Sequence, residues 1–309
     1  MTGIRKAAIA IAGMIFCSIA SAQVQRTFVA SYGSDTNTAT NCGFASPCRG
    51  FTAAQSVTNS GGEIVALDAA GYGAVAITKS ISIIADPGFY AGISASTGNA
   101  VTIATASVNV RLSGLKINGI GANNGISMTN GASLTIDNCT ISGFSNNGVD
   151  INTGAKVRMV DSLVMNNGNG GLVVRKNAVA TVFNSQFLGN GNVGVWALEN
   201  STAGTSPTIS VTDSIAAGNT YGYIAQTTVA STPKISVSNS SADDNGTGLG
   251  VAISGGGNAV LVVGSTKVTH NITGITDFGL GGTMRSAGNN LVNDNGANVS
   301  GTLTNIGTM

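Results

Sequence analysis

The chain repeats itself. An anchor residue recurs at Gly114, Asn138, Asp161, Asn184, Asp213, Asn239, Gly264 and Asn289, in steps of 24, 23, 23, 29, 26, 25 and 25 residues. A period of this length defines a solenoid, because one repeat cannot bury a core alone and must stack on its neighbours. The second and fourth residues before the anchor are apolar in seven consecutive copies, among them Leu134 and Ile136, Val157 and Met159, Ile209 and Val211, and Val260 and Val262. Period two predicts a strand with one face inward. The alternate positions, such as Asn109 and Arg111, Ser133 and Thr135, or Lys156 and Arg158, are mostly polar and face water.

Just past the anchor, Ile141, Val164, Phe187, Ala216 and Ala242 give a third inward position. Further on, a Gly followed by an apolar residue, as in Gly148-Val149, Gly194-Val195 and Gly248-Leu249, reads as a turn feeding another strand. Three short strands and three turns leave no room for a helix, so each repeat is predicted to be one coil of a parallel β-helix. Like positions in successive coils then form ladders about 4.8 Å apart. The Asn and Asp anchors fit corners, where their backbones tolerate a left-handed turn and their amides stack. Cys139 falls where Ser162, Ser185, Ser214, Ser240 and Ser265 stand, which predicts a structural thiol. Forty-four glycines with only 9% charged and 5% aromatic residues suit such a chain of short strands.

Residues 1–22 read as a secretion signal. Arg5 and Lys6 precede an apolar run from Ala7 to Ala20, and Ala20-Ser21-Ala22 supplies the small-x-small pattern cut after Ala22. This predicts a secreted, periplasmic or cell-surface protein; the run is too short and wrongly flanked for a membrane span. Losing Arg5 and Lys6 from 14 basic residues leaves one fewer than the 13 acidic ones, a balance that does not recruit nucleic acid. In an exported protein Cys42 and Cys48 of "NCGFASPC" are expected to bridge, worth about 2–3 kcal/mol. A metal site there would need more ligands. Residues 23–60 hold this loop and a helix-compatible stretch, Phe51 to Gly62, with Phe51, Ala54 and Val57 on one side to lid the first coil. Residues 61–309 form the β-helix, whose final stretch "GNNLVNDNGANVSGTLTNIG" keeps the anchor without a strand before it.

The order of a short helix, "GGEIVALDAAGYGAVAITKSISIIAD", and coils carrying "LSGLKINGIGANNGISM" and "LTIDNCTISGFSNNGVDI" resembles the pectin-lyase-like superfamily, in particular an exported bacterial group with a Cys pair ahead of the helix. The resemblance spans roughly residues 26 to 309. It implies an all-β, single-stranded, right-handed parallel β-helix. It leaves function open, since lyases, hydrolases, epimerases, phage tailspikes and non-enzymatic surface proteins share that fold.

Glycoside hydrolysis needs two carboxyl groups about 5–9 Å apart. The adjacent pair Asp243-Asp244 aligns with turn residues Asn166 and Asn167, and the Asn-Thr-Asp, Gly-His-Gly and Arg-Ile-Lys segments that the polygalacturonase resemblance implies are missing. His270, the sole histidine, lies in the turn "THNITG" and supports no triad or metal cluster. The outward face offers Arg111, Asp137, Lys156 and Arg158, with Arg175 and Lys176 on the following strand. One carboxylate among several cations makes a poor calcium site. Ordinary solvated charge is the competing reading of this cluster. Trp196, the only tryptophan, is expected to point outward beside Val173 and Ile224, where it could stack a sugar ring or lie under the insertion "ENSTAGTS".

These residues predict a protein that binds extracellular or cell-surface carbohydrate without strong catalytic activity, through Trp196, Arg175, Arg158, Lys156 and Asp137. A polysaccharide lyase is the enzymatic alternative, with Arg158 or Lys156 as base and Arg111 neutralising a uronate carboxylate. A structural or adhesive rod is the third. No cofactor is expected, and calcium only under the lyase alternative.

Overall fold

A computed structural model describes residues 24–279 and 281–307; the expected signal sequence lies outside them. Their strands form three parallel sheets. Sheet A has 12 strands, from Val24–Val29 and Thr58–Ala66 to Leu303–Asn305, and sheets B and C have ten each. Each coil crosses A, B and C in turn: Ser133–Asp137, Thr140–Ser142 and Val149–Ile151 complete one, and Lys156–Val160 opens the next. The predicted parallel β-helix is the observed architecture.

The core is built by the period-two residues. In that one coil Leu134, Ile136, Ile141, Val149 and Ile151 are all fully buried. The expected inward pairs hold through Ile235 and Val237, then slip by one residue. Leu261 and Val263 face the core, whereas Val260 and Val262 are half-buried on the outer side. The run Ala259 to Val263 is apolar at every position, so alternation carries no parity there. The corner shifts with it: Ser265 and Gly288, not Gly264 and Asn289, take the left-handed backbone of Asn138, Asp161, Asn184, Asp213 and Asn239. The same slip places Thr266, not Ser265, in the serine row beside the corner. In that row the hydroxyls of Ser162, Ser185, Ser214 and Ser240 each accept the backbone N–H of the preceding coil, as Ser185 Oγ does from Ser162 at 3.2 Å. Cys139 occupies its first place, buried, with Sγ 3.3 Å from the Asp137 carbonyl. Burial pushes its thiol up to about 11, the condition of an inert structural cysteine.

The continuous amide ladder is not at the corner anchors, where stacking is intermittent, as between Asn184 and Asp161 at 2.5 Å. It runs through the bend between sheets B and C, where Asn167, Asn190, Asn219, Asn245, Asn271 and Asn295 link side chain to side chain at 2.9–3.1 Å. The Gly at the start of each sheet C strand from Gly148 to Gly274, just before or just inside it, packs against this ladder. Its φ is not left-handed; instead a Cβ on Gly194 would lie 2.6 Å from the Gly222 carbonyl oxygen and 3.2 Å from Asn219 Nδ2. Close approach of coils, rather than a turn, demands glycine there.

At the first end the helix, α1, covers only Phe51–Val57 and packs Phe51, Ala54 and Val57 inward; Thr58 to Gly62, expected as helix, already belong to a sheet A strand. The Cys42–Cys48 disulfide is formed beside it. At the far end a sheet A strand, Thr283–Ser286, does precede the last corner, contrary to the expectation of none, and buries Met284. No described helix is long and apolar enough to cross a membrane.

Candidate functional site

The predicted site residues fall on two different sheets. Arg111, Asp137, Lys156 and Arg158 lie outward on sheet A, whereas Arg175 and Trp196 belong to the sheet C side of their coils. The structure therefore does not bring Lys156 and Arg158 together with Trp196.

On sheet A, outward residues stack in register. One row runs Ser82, Arg111, Thr135, Arg158 and Thr181; beside it stand Asn109, Ser133, Lys156 and Val179. Between the rows lie two shallow depressions of about 340 and 320 Å³ that share Ser133 and Thr135, so they make one trough across the strands, parallel to the solenoid axis. Arg111 is engaged by Asp137, at 2.8 Å. Among the described residues Lys156, Arg158, Lys234 and Arg285, all exposed on this face, have no ion-pair partner. Lys234 and Arg285 extend the same two rows and were not singled out in the sequence, because the register slip hid the alignment of Arg285.

On sheet C, Asp150, Val173, Trp196, Ile224, Gly250 and Thr276 form one outward row. Trp196 points outward with Val173 and Ile224 beside it, as the sequence predicts. Arg175 is not a free cation: it forms an ion pair with Asp150, both side chains being mostly buried. Burial raises the Asp150 carboxyl above the usual range, and the arginine only partly offsets that. Beyond Trp196, a cleft of about 470 Å³ is flanked by Leu198, Tyr221 and Phe278. Ala252, two strands from Trp196, lines it too, and Phe278 sits against the bare backbone of Gly250, where a Cβ would lie 3.1 Å from the ring, edge-on to Tyr221 with ring centroids 5.5 Å apart. The insertion after Trp196 starts beside the indole, with Asn200 lining the same cleft. Glu199 turns inward and gathers the insertion, accepting from the backbone of Lys176 and Thr202 and from Thr205 Oγ1 at 2.8, 2.9 and 2.6 Å.

Asp243 and Asp244 split in role. Asp244 is the left-handed turn residue, aligned with Asn166 rather than Asn167, and Asp243 accepts from Thr269 Oγ1 at 2.7 Å and contacts His270 Nδ1 at 2.9 Å. Those hydrogen bonds, from Thr269 first and then His270, hold the Asp243 carboxyl below its ordinary range, which is the opposite of what a proton donor needs. No group of three or more His, Cys, Asp or Glu placed to hold a metal occurs among the described residues.

Three parallel sheets wound into successive coils, with a buried amide ladder, define a parallel β-helix protein. The chain belongs to the family described as "Right handed beta helix region", which matches residues 57–210 and 99–295. Among solved structures it is similar to pectate lyase Pel9A, at 14% identity over 82% of this chain and 81% of that one, with a TM-score of 0.46. It is also similar to a rhamnogalacturonan lyase, at 13% identity over 85% and 74%, TM-score 0.45. A third is the A-module of the mannuronan C-5 epimerase AlgE6 of Azotobacter vinelandii, at 12% over 90% and 97%, TM-score 0.48. At such identities the likeness is one of fold. No curated protein matches the chain.

Proposed function

We propose that the protein is an exported β-helix that binds acidic carbohydrate without strong catalytic activity, along the sheet A trough. One observation carries the reading. On a face otherwise rich in Ser and Thr, the carboxylates Glu63 and Asp137 are each paired to an arginine, and four further cations are unpaired. Such a surface attracts anions and offers hydroxyls to hydrogen-bond sugar oxygens. The rows run along the axis, so a linear polymer lies across successive strands, meeting like positions about every 4.8 Å. The Cys42–Cys48 disulfide supports an oxidising compartment.

The test is retention of the wild type and of a Lys156→Ala/Arg158→Ala double variant in gels containing polygalacturonate or alginate. Wild-type migration is expected to be retarded and the double variant much less so, while polymer length stays unchanged by chromatography. Equal retardation of both proteins sinks the trough as the binding face. Unsaturated, shortened products that vanish with Arg158→Ala would establish the lyase alternative instead.

A further inference from the structure

We propose that the Trp196 cleft on sheet C is a second, separate site, and that it takes a neutral saccharide. Among the described residues no charged side chain lines it. The only cation expected there, Arg175, is bound to Asp150. An anion entering the cleft would give up its hydration without gaining a counter-charge, so acidic sugars are disfavoured.

The surface that remains has two characters. Trp196, Ile224, Leu198 and the Tyr221–Phe278 pair offer apolar and aromatic area, while Asn192, Asn200, Gln226 and Thr228 bring amides and a hydroxyl that both donate and accept. Asn192 Nδ2 already donates to Asn169 Oδ1 at 3.1 Å, but a purely apolar ligand would displace water from the remaining polar groups without replacing its hydrogen bonds. A pyranose ring matches both, with C–H faces to lie on aromatic rings and neutral hydroxyls around its edge. The Trp196 indole N–H is buried with no acceptor among the described residues, so the cleft is offered the indole's ring rather than its N–H. About 470 Å³ is within the range of small-ligand sites.

Trp196 is the sole tryptophan, so emission excited selectively at tryptophan, beyond the absorption of the five tyrosines, reports this cleft. The protein would be titrated with cellohexaose, xylohexaose, mannohexaose and hexagalacturonate. At least one neutral hexaose is expected to shift the emission saturably at millimolar concentration, with no such shift from hexagalacturonate. Tyr221→Ala should weaken the response about tenfold, the loss of about 1.4 kcal/mol of contact. Phe278→Ala, at a ring 47% exposed, serves the same purpose should the tyrosine variant fail to fold. The Lys156→Ala/Arg158→Ala protein should respond like the wild type, which separates this site from the sheet A trough. The proposal is overturned if no neutral hexaose changes the emission, if hexagalacturonate changes it as strongly, or if the double variant abolishes the response.

Discussion

Two asparagines of the same repeat do different work. Asn184 stands exposed at a corner, where its left-handed φ of 45° is the main demand on it. Asn219 is buried in the amide ladder, accepts the Asn190 backbone N–H at 2.9 Å and donates to the Phe187 carbonyl at 3.0 Å. Asn184→Gly should therefore be close to neutral, since glycine adopts that backbone freely. Asn219→Ala strands at least two buried polar groups at about 1–3 kcal/mol each, and its melting temperature should fall clearly below that of Asn184→Gly. Glu199 offers a pH-dependent counterpart. Burial works to raise its carboxyl, but the hydrogen bonds from Thr205, Thr202, Ser201 and Lys176 outweigh it and hold it below the ordinary range. A carboxyl lower in the folded than in the unfolded state stabilises above its unfolded value and loses that contribution as pH falls through the folded one. Thermal melts from pH 7 down to 3 should show Glu199→Gln starting less stable and losing less stability than the wild type on acidification; parallel curves would discount this carboxylate.

At the scale of the strand and bend, glycine spacing is set by how closely coils approach. The stripe Gly148, Gly171, Gly194, Gly222, Gly248 and Gly274 faces the next coil's backbone, and a methyl on Gly194 meets a carbonyl at 2.6 Å. Backbone has nowhere to move in a stacked sheet, so Gly194→Ala should cost about 1–3 kcal/mol, the range for overpacking. Gly71→Ala, with nothing within 4 Å of the added carbon and an ordinary φ, is the matched control and should melt within a degree or two of wild type. The sequence shows this stripe by its regular recurrence but misattributes it to a turn, because recurrence alone cannot distinguish a residue needed for φ from one needed for space. Strand parity was similarly readable where polar and apolar residues alternate, as in "SLTID", and lost in "AVLVV", where both faces are apolar.

Over the whole molecule, the solenoid presents separate sheet faces, and two of them differ in chemistry. Sheet A is cationic and hydroxyl-rich, whereas the sheet C cleft is uncharged and aromatic. Retention on a polyanion through sheet A should weaken as salt rises from about 0.05 to 0.5 M, since exposed charges are screened over about 10 Å or less. Occupancy of the Trp196 cleft, followed by fluorescence with a neutral hexaose, should not. A salt-insensitive polyanion interaction would remove the electrostatic basis of the trough.

The sequence by itself determined the parallel β-helix, the inward residues of six coils, the corner backbone and the structural place of Cys139, because each follows from a local period of two within a longer repeat. Only the tertiary structure decided that Lys156 and Arg158 lie on a different sheet from Trp196, that Arg175 is consumed by Asp150, and that Phe278 seats against Gly250 at the edge of the cleft. Those relations join residues 23 or more positions apart. They depend on which sheet each corner delivers a strand to and on the register of one coil upon the next, quantities that no single repeat contains.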